Sequence, residues 1–315
     1  MGRRKRGQAI SGWLVLDKPL GITSTKAVNI VRAIFDAQKA GHAGTLDPAA
    51  SGVLPIALGE ATKTVPFAMD GAKSYEFTVR WGEETNTDDA EGEITSTSDQ
   101  RPTEAQIKAI LPSYVGLISQ VPPKFSAIKL AGQRAYDMAR DGEDFEIAAR
   151  DVQIDGLELV SCPDTDPNPD SAVFKVYCGK GTYVRSLARD FGRELGCFGH
   201  VTALRRTFVK PFGPNEMISL EKLEELSHKS ADRSDLLACL LPIDAVLDDI
   251  LAVSVDREQT LAIKQGRAII MRGRDGPINE DIVLAVHRGK PVALASVEKG
   301  MLKPKRVFNL KPNLA

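Results

Sequence analysis

The spacing of apolar and polar positions divides the chain into recognisable pieces. Trp13 to Leu16 is a short apolar run, closed by the turn Lys18-Pro19-Leu20-Gly21, and predicts a buried strand. Ser24 then stands where a helix cap belongs. Val28, Val31, Ile34 and Phe35 recur behind it at helical spacing, with Gly41 as the stop. A Gly-rich loop from Gly41 to Gly52 leads into the apolar run Val53 to Leu58. Tyr75, Phe77, Val79 and Trp81 alternate with Glu76, Thr78 and Arg80, which predicts a strand with one buried and one polar face. Glu83 to Glu93 holds six acids and no base, and reads as a solvated hairpin tip. Thr103 and Gln106 have capping-box spacing ahead of a short helix that ends at Pro112. From Gln120 to Arg140 the chain runs from a rigid Pro-Pro through a strand and a Gly turn into a basic helix. Pro163 to Pro169 reads as a surface loop, Val173 to Tyr177 as a strand, and Tyr183 to Leu195 as a helix entered through Gly179-Lys180-Gly181.

Strands and helices are interspersed here without the regular beat of a doubly wound sheet. That predicts an α+β fold, a mixed sheet core with helices around it. The chain turns polar and then Leu-rich around 228–250, ending at Asp248-Asp249, which places a domain boundary near 250. Residues 251–315 predict one helix, about 256–265, and short strands including Ile282 to Val286 and Val292 to Val297, a small β-rich appendage. A length of 315 residues fits two such domains.

Composition narrows the class further. A net charge of −1 excludes a histone-like basic protein, and hydrophobic residues at 43% exclude wholesale disorder. The four cysteines form no CxxC pair, so a zinc ribbon or thioredoxin-like redox site is not indicated. Reduced thiols and a cytoplasmic location follow. Arg3-Arg4-Lys5-Arg6 and the apolar stretch after it imitate a signal peptide, but Asp17-Lys18-Pro19 interrupts the run and no cleavage site follows. Gly2 imitates a myristoylation site, but Arg6 stands where that motif needs Ser or Thr. Nor does any run of eighteen apolar residues suggest a membrane span. Local charge is less even than the total. Lys180 to Lys210 carries seven bases against two acids, Lys264 to Arg274 four bases, and Lys299 to Lys311 five, with no acid in the last two. Such stripes suit either a face for a polyanion or solvated helix surfaces.

The densest constellation is GHAGTLDPAASGVLPIALGEATK, residues 41–63. Its glycines, Gly44 among them, let backbone approach a ligand, and Pro48 stiffens the turn after Asp47. Neither phosphate-loop pattern is matched. His42 and Asp47 alone are too few to hold a metal. Glycoside hydrolysis uses two carboxylates, and this loop offers one. A single positioned carboxylate suits a reaction whose leaving group never departs.

At this loop the sequence resembles the TruB family of tRNA pseudouridine-55 synthases. The likeness begins at LDKPLGITS (Leu16 to Ser24) and continues through the Gly-rich loop and KSYEF around Tyr75. It extends to PPKFSAIKLAGQRAYDMAR, GKGTYVRSLARDFG and HVTALRR at 200–206. The tail from 251 resembles, more weakly, the PUA-type RNA-binding domain of that family.

The resemblance implies a pseudouridine synthase catalytic domain over 1–250, with an RNA-gripping insert at about 120–150, and a PUA-like domain over 251–315. The family's catalytic aspartate falls on Asp47 and its basic partner on Arg185. A guanidinium there would aim the carboxylate and favour its charged form. The active-site tyrosine falls on Tyr75, whose ring can stack on a flipped base and whose hydroxyl can accept a proton. Tyr183 and Leu204 match positions lining the same pocket, and His42 matches the residue that enters the stack vacated by the uridine. Lys18, Pro19 and Gly44 support the catalytic loop. Taken singly, each of these residues has a plain structural reading, as a core tyrosine, a loop histidine or a core leucine. The implied activity is conversion of uridine 55 in the tRNA T-loop to pseudouridine, with no metal or organic cofactor. The implied partner is tRNA, held through its T-arm and, by the tail, its acceptor stem. The enzyme would act as a monomer without a membrane or protein partner. Two other readings share these features, an RNA-folding factor and a guide-RNA-dependent relative.

Overall fold

In a computed structural model, residues 7–130, 132–162, 169–229, 233–271 and 277–310 are described. The basic tetrad Arg3 to Arg6, nearly all of the 163–169 loop, Arg272, Arg274 and Lys311 lie outside them. A mixed sheet of nine strands dominates. Its order runs Met217–Ile218, Gly12–Lys18, Ala50–Leu58, Gly199–Val209, Lys73–Trp81, Ser171–Cys178, Arg150–Ser161 and Gly116–Gln120, with Ala40–His42 also paired to Ala50–Leu58. Most pairings are antiparallel. Gly199–Val209 runs parallel to Ala50–Leu58 and antiparallel to Lys73–Trp81, so it knits the two halves together. The fold is α+β, as the irregular order of elements predicts.

Burial follows the residue pattern. In Gly12–Lys18 the apolar run is continuous because both faces are covered. Leu14 and Leu16 pack on one side with Val31, Phe35 and Leu54, while Trp13 and Val15 pack on the other with Val53, Ala57 and Phe212. Tyr75, Phe77, Val79 and Trp81 are all buried on one face, and Glu76 and Arg80 are exposed on the other, as alternation requires. Helices Ser24–Ile34 and Val184–Glu194 contribute their apolar faces to the first of these clusters. Thr103 and Gln106 form the capping box of helix Glu104–Ile110.

Two local readings are corrected. The first long helix is capped by Thr23, one residue earlier, because Thr23 has the extended backbone from which its oxygen reaches the Lys26 N–H at 3.1 Å. That helix ends at Ile34 instead of running to Gly41. The acidic segment from Glu83 does form a hairpin, Glu83–Thr85 against Ile94–Thr97, but it is not a solvated tip. Glu84, Asp88 and Asp89 are buried.

Residues 252–307 form a second sheet of five strands in the order Ala252–Ser254, Glu280–His287, Lys290–Glu298, Met301–Val307 and Ile269–Ile270, with helix Arg257–Lys264 beside it. Phe308, Leu284 and Leu294 join the cluster of Trp13 and Phe212, so the tail is docked on the back of the large sheet. Lys63 Nζ donates to the Val307 carbonyl at 2.6 Å, and Glu60 accepts from the Asn309 N–H at 2.7 Å. Among the described residues no helix is long and apolar enough to cross a membrane.

Candidate active site

The Gly-rich loop is held from below by the start of the first helix. Ser24 Oγ accepts from Leu46 N–H at 2.8 Å and donates to Leu46 C=O at 2.9 Å, while Gly21 N–H donates to Pro48 C=O at 2.9 Å. Asp47 lies between these two anchors. Lys18 is fully buried opposite Gly52 and donates to the carbonyls of Pro19 and Ile22 at 2.9 and 2.8 Å. At Gly52 (φ +100°) a Cβ would lie 2.1 Å from the Arg206 carbonyl oxygen, so only glycine lets the two strands approach this closely. Gly44 (φ +96°) brings its carbonyl to Arg206 Nη2 at 3.1 Å.

Asp47 faces a cleft of about 350 Å³, lined also by Gly44, Tyr75, Tyr183, Arg185 and Leu204. These six positions, far apart in sequence, share one cavity. His42 is not on its wall. It sits in the short strand Ala40–His42 opposite Ile56, with Nδ1 buried and unpartnered among the described residues. Burial, with a smaller push from Arg206, holds its imidazole below the ordinary histidine value. Lys18 and Pro19 also lie off the cleft wall.

Arg185 sits in the first turn of helix Val184–Glu194, a helix oriented by Gln120. The Gln120 amide accepts from Tyr183 N–H at 2.8 Å and donates to Tyr183 C=O at 3.1 Å. The Arg185 guanidinium contacts Asp47 at 2.9 Å, Asp89 at 3.3 Å, Thr87 C=O at 2.9 Å and Phe125 C=O at 3.0 Å. Its side chain is 8% exposed against 41% for Asp47, so the arginine is a fixed strut and the carboxylate is the reachable end.

Two further arginines on the same helix repeat the pattern. Arg189 meets Asp88 at 3.1 Å and Arg193 meets Glu84 at 2.7 Å. Most bases of the stripe from Lys180 to Lys210 are therefore charge-paired within the fold. Lys180 pairs with Asp70, Arg205 with Asp17 and Lys210 with Asp249. The seventh base, Arg206, is 1% exposed and has no carboxylate within ion-pair distance among the described residues. Its Nε donates to Val53 C=O at 2.7 Å.

Residue-type reasoning did not single out Lys73, Asp89 or Arg206. Lys73 and Arg206 line the cleft. They stand inside the resembling motifs KSYEF and HVTALRR, which was the available signal. Burial, then the Arg206 charge, pushes the Lys73 ammonium down to about 8. Burial pushes the Tyr75 phenol above its ordinary value, so it is neutral at pH 7 and enters any chemistry as a hydrogen-bonding hydroxyl, not as a phenolate base. No cluster of three or more His, Cys, Asp or Glu side chains suited to a metal occurs among the described residues.

Lys18 gives a test of this electrostatic arrangement. Burial pushes its ammonium down to about 8, Asp47 opposing and Arg206 adding to the shift, whereas an unfolded chain keeps that proton to roughly pH 10.4. Between those values the unfolded state binds more protons, so this group's contribution to stability rises with pH. The stability of the wild type relative to Lys18→Met should therefore increase between about pH 7.5 and 9.5 in urea unfolding. A flat difference would contradict a desolvated Lys18 ammonium.

The family model described as TruB family pseudouridylate synthase (N terminal domain) matches residues 32–184, and that described as tRNA pseudouridylate synthase B C-terminal domain matches 185–248. A Bradyrhizobium diazoefficiens protein named tRNA pseudouridine synthase B is 55% identical over 308 residues, covering 98% of this chain and 88% of its own. The chain belongs to the TruB family of pseudouridylate synthases. A second family member, from Chelativorans sp. and of the same name, is 55% identical over 316 residues, covering 98% of this chain and 100% of its own. Among solved structures, a chain of an H/ACA ribonucleoprotein bound to a substrate RNA containing 2'-deoxyuridine superposes with a TM-score of 0.72 at 22% identity, covering 100% of this chain and 93% of that one. A chain of an archaeal box H/ACA ribonucleoprotein complex gives 0.71, also at 22% identity, covering 100% and 94%. At that identity the likeness is one of fold.

Proposed function

We propose that this TruB family member isomerises uridine to pseudouridine in tRNA, at position 55 of the T-loop. The observation that carries the reading is the Asp47–Arg185 pair, which presents one aimed, solvent-reachable carboxylate to the cleft lined by Tyr75, Tyr183 and Leu204. In this reading the uridine flips out of the RNA and stacks on Tyr75, with Leu204 and Tyr183 as walls and His42 filling the vacated stack. Asp47 stabilises or traps the sugar centre while the N1–C1′ bond is open, and the base turns and rejoins through C5. Lys18, Pro19 and Gly44 hold the loop. Residues 1–250 form the catalytic unit, with 120–150 gripping the RNA. Residues 251–315 bind the acceptor stem. The chain acts as a monomer in the cytoplasm.

The test is a purified single chain on an unmodified tRNA transcript, with the pseudouridine mapped to its site. Product at position 55 without added RNA or protein supports the reading; binding without product would make the chain an RNA-folding factor. A guide-RNA requirement would point to the third reading. Tyr75 separates stacking from hydroxyl chemistry. Tyr75→Phe should lower the single-turnover rate by about 10²-fold or more while affinity stays within a few fold. Tyr75→Leu should also lose about 1–3 kcal/mol of binding, the value of one stacked base. A Phe variant of near wild-type rate would return Tyr75 to an ordinary core role.

A further inference from the structure

Six of the seven bases between Lys180 and Lys210 have a carboxylate partner, and among the described residues Arg206 does not. It is nevertheless buried, and it lines the cleft together with Lys73. Lys73 is also buried and also lacks a carboxylate within ion-pair distance among the described residues; its ammonium donates to Met69 and Gly71 carbonyls at 2.8 and 2.7 Å. Arg206 is held by the Val53 and Gly44 carbonyls and the Tyr75 side chain, and Lys73 by carbonyls alone. Two desolvated cations without a carboxylate are costly unless a negative charge arrives beside them. Around Asp47, Arg185 alone is shared between two carboxylates, Asp47 and Asp89. The cavity thus holds a carboxylate, Asp47, and two cations without a carboxylate partner among the described residues, Arg206 and Lys73.

Arg206 is the cross-strand partner of Tyr75, and it lies two residues beyond Leu204 on the same strand face. A base stacked on the Tyr75 ring therefore lies within reach of Arg206. This placement rests on the synthase reading above, which sets what charge develops there. When the N1–C1′ bond breaks, its electron pair stays on N1 and the sugar carbon is left electron-poor, facing Asp47. The uracil anion spreads its charge over N1, O2, O4 and C5. C5 then forms the new bond to C1′, its proton is lost, and N1 regains one, so the isomerisation balances. We propose that Arg206, supported by Lys73, stabilises the detached uracil as an anion, while the Asp47 carboxylate stabilises the sugar.

A better leaving group tests this directly. Fluorine at C5 is close to hydrogen in size and makes uracil more acidic, so a 5-fluorouracil anion needs less help from a neighbouring cation. Because fluorine cannot leave C5 as a cation, the readout is loss of the N-glycoside in one turnover, measured on tRNA with uridine or 5-fluorouridine at the target. Arg206→Gln should slow the uridine reaction about 10²-fold or more, as removal of one preorganised donor does. The fluorouridine reaction should be slowed far less, so the ratio of the two rates rises at least about tenfold over wild type. Arg206→Lys keeps the charge and loses the fork to Val53 and Gly44. It should return the ratio toward wild type even where melting temperature falls. Lys73→Gln should raise the ratio by a smaller factor, and it provides the reading if Arg206→Gln does not fold. Equal slowing on both substrates in the folded variants would make Arg206 a brace for the loop and overturn the proposal. The wild type and Asp47→Asn run alongside: if Asp47→Asn retains turnover on uridine, the synthase reading of the site fails independently of Arg206.

Discussion

Replacing Asp47 by asparagine should lower single-turnover pseudouridine formation by at least about 10³-fold, the upper range for one transition-state charge interaction. The substitution keeps size and removes charge at a side chain 41% exposed, so folding should be little affected. Affinity for tRNA should stay within a few fold, because positioning on RNA comes mainly from phosphate and sugar contacts. The measurement is single-turnover rate and equilibrium binding on one preparation, with its mass checked for reversion to aspartate by deamidation. Turnover by a homogeneous Asn variant would remove Asp47 from the chemistry.

The second large effect is expected at Arg185, and there the two obvious substitutions should differ. Arg185→Met leaves Asp89, whose side chain is 9% exposed, without its cation, and strips a donor from the Thr87 and Phe125 carbonyls. Breaking a buried pair in this way costs about 3–5 kcal/mol, visible in urea unfolding. Arg185→Lys restores a charge but not the fork. One ammonium cannot span Asp47, Asp89 and two carbonyls at once. It should recover much of the stability and remain slowed by about 10²-fold or more, because the carboxylate is no longer aimed. A Lys variant within tenfold of the wild-type rate would show that charge alone suffices.

Much of the sheet could be read from the chain because its signals are local. Alternation at Tyr75 to Trp81 needs only neighbours a few positions away, and so does the Thr103–Gln106 capping box. The acidic hairpin was misread, and the basic stripe left with two readings, for the converse reason. Glu84 and Arg193 are 109 positions apart, and Arg185 and Asp89 are 96 apart, so each run looked unbalanced until the fold laid one on the other. Ser24 shows the same limit at smaller scale. Its hydroxyl is spent on Leu46, twenty-two positions away, and the cap passes to Thr23. At the site, the motifs around Asp47, Tyr75, Arg185 and Leu204 led to residues that line one cleft. Lys73 and Arg206 went unremarked because a lysine or arginine in a strand ordinarily reaches solvent. Their burial is a tertiary fact.

The position of Gly199–Val209 also bears on how the protein is made. This strand lies between Ala50–Leu58 and Lys73–Trp81, yet about 140 residues separate it from the first and about 120 from the second. A chain emerging from the ribosome must therefore hold two partial sheets with open edges until that strand is synthesised and inserted. Those edges carry unpaired backbone groups that invite pairing with other chains. A message truncated before codon 199 would yield a product with two unjoined half-sheets and no complete cleft, poised for chaperone capture or aggregation.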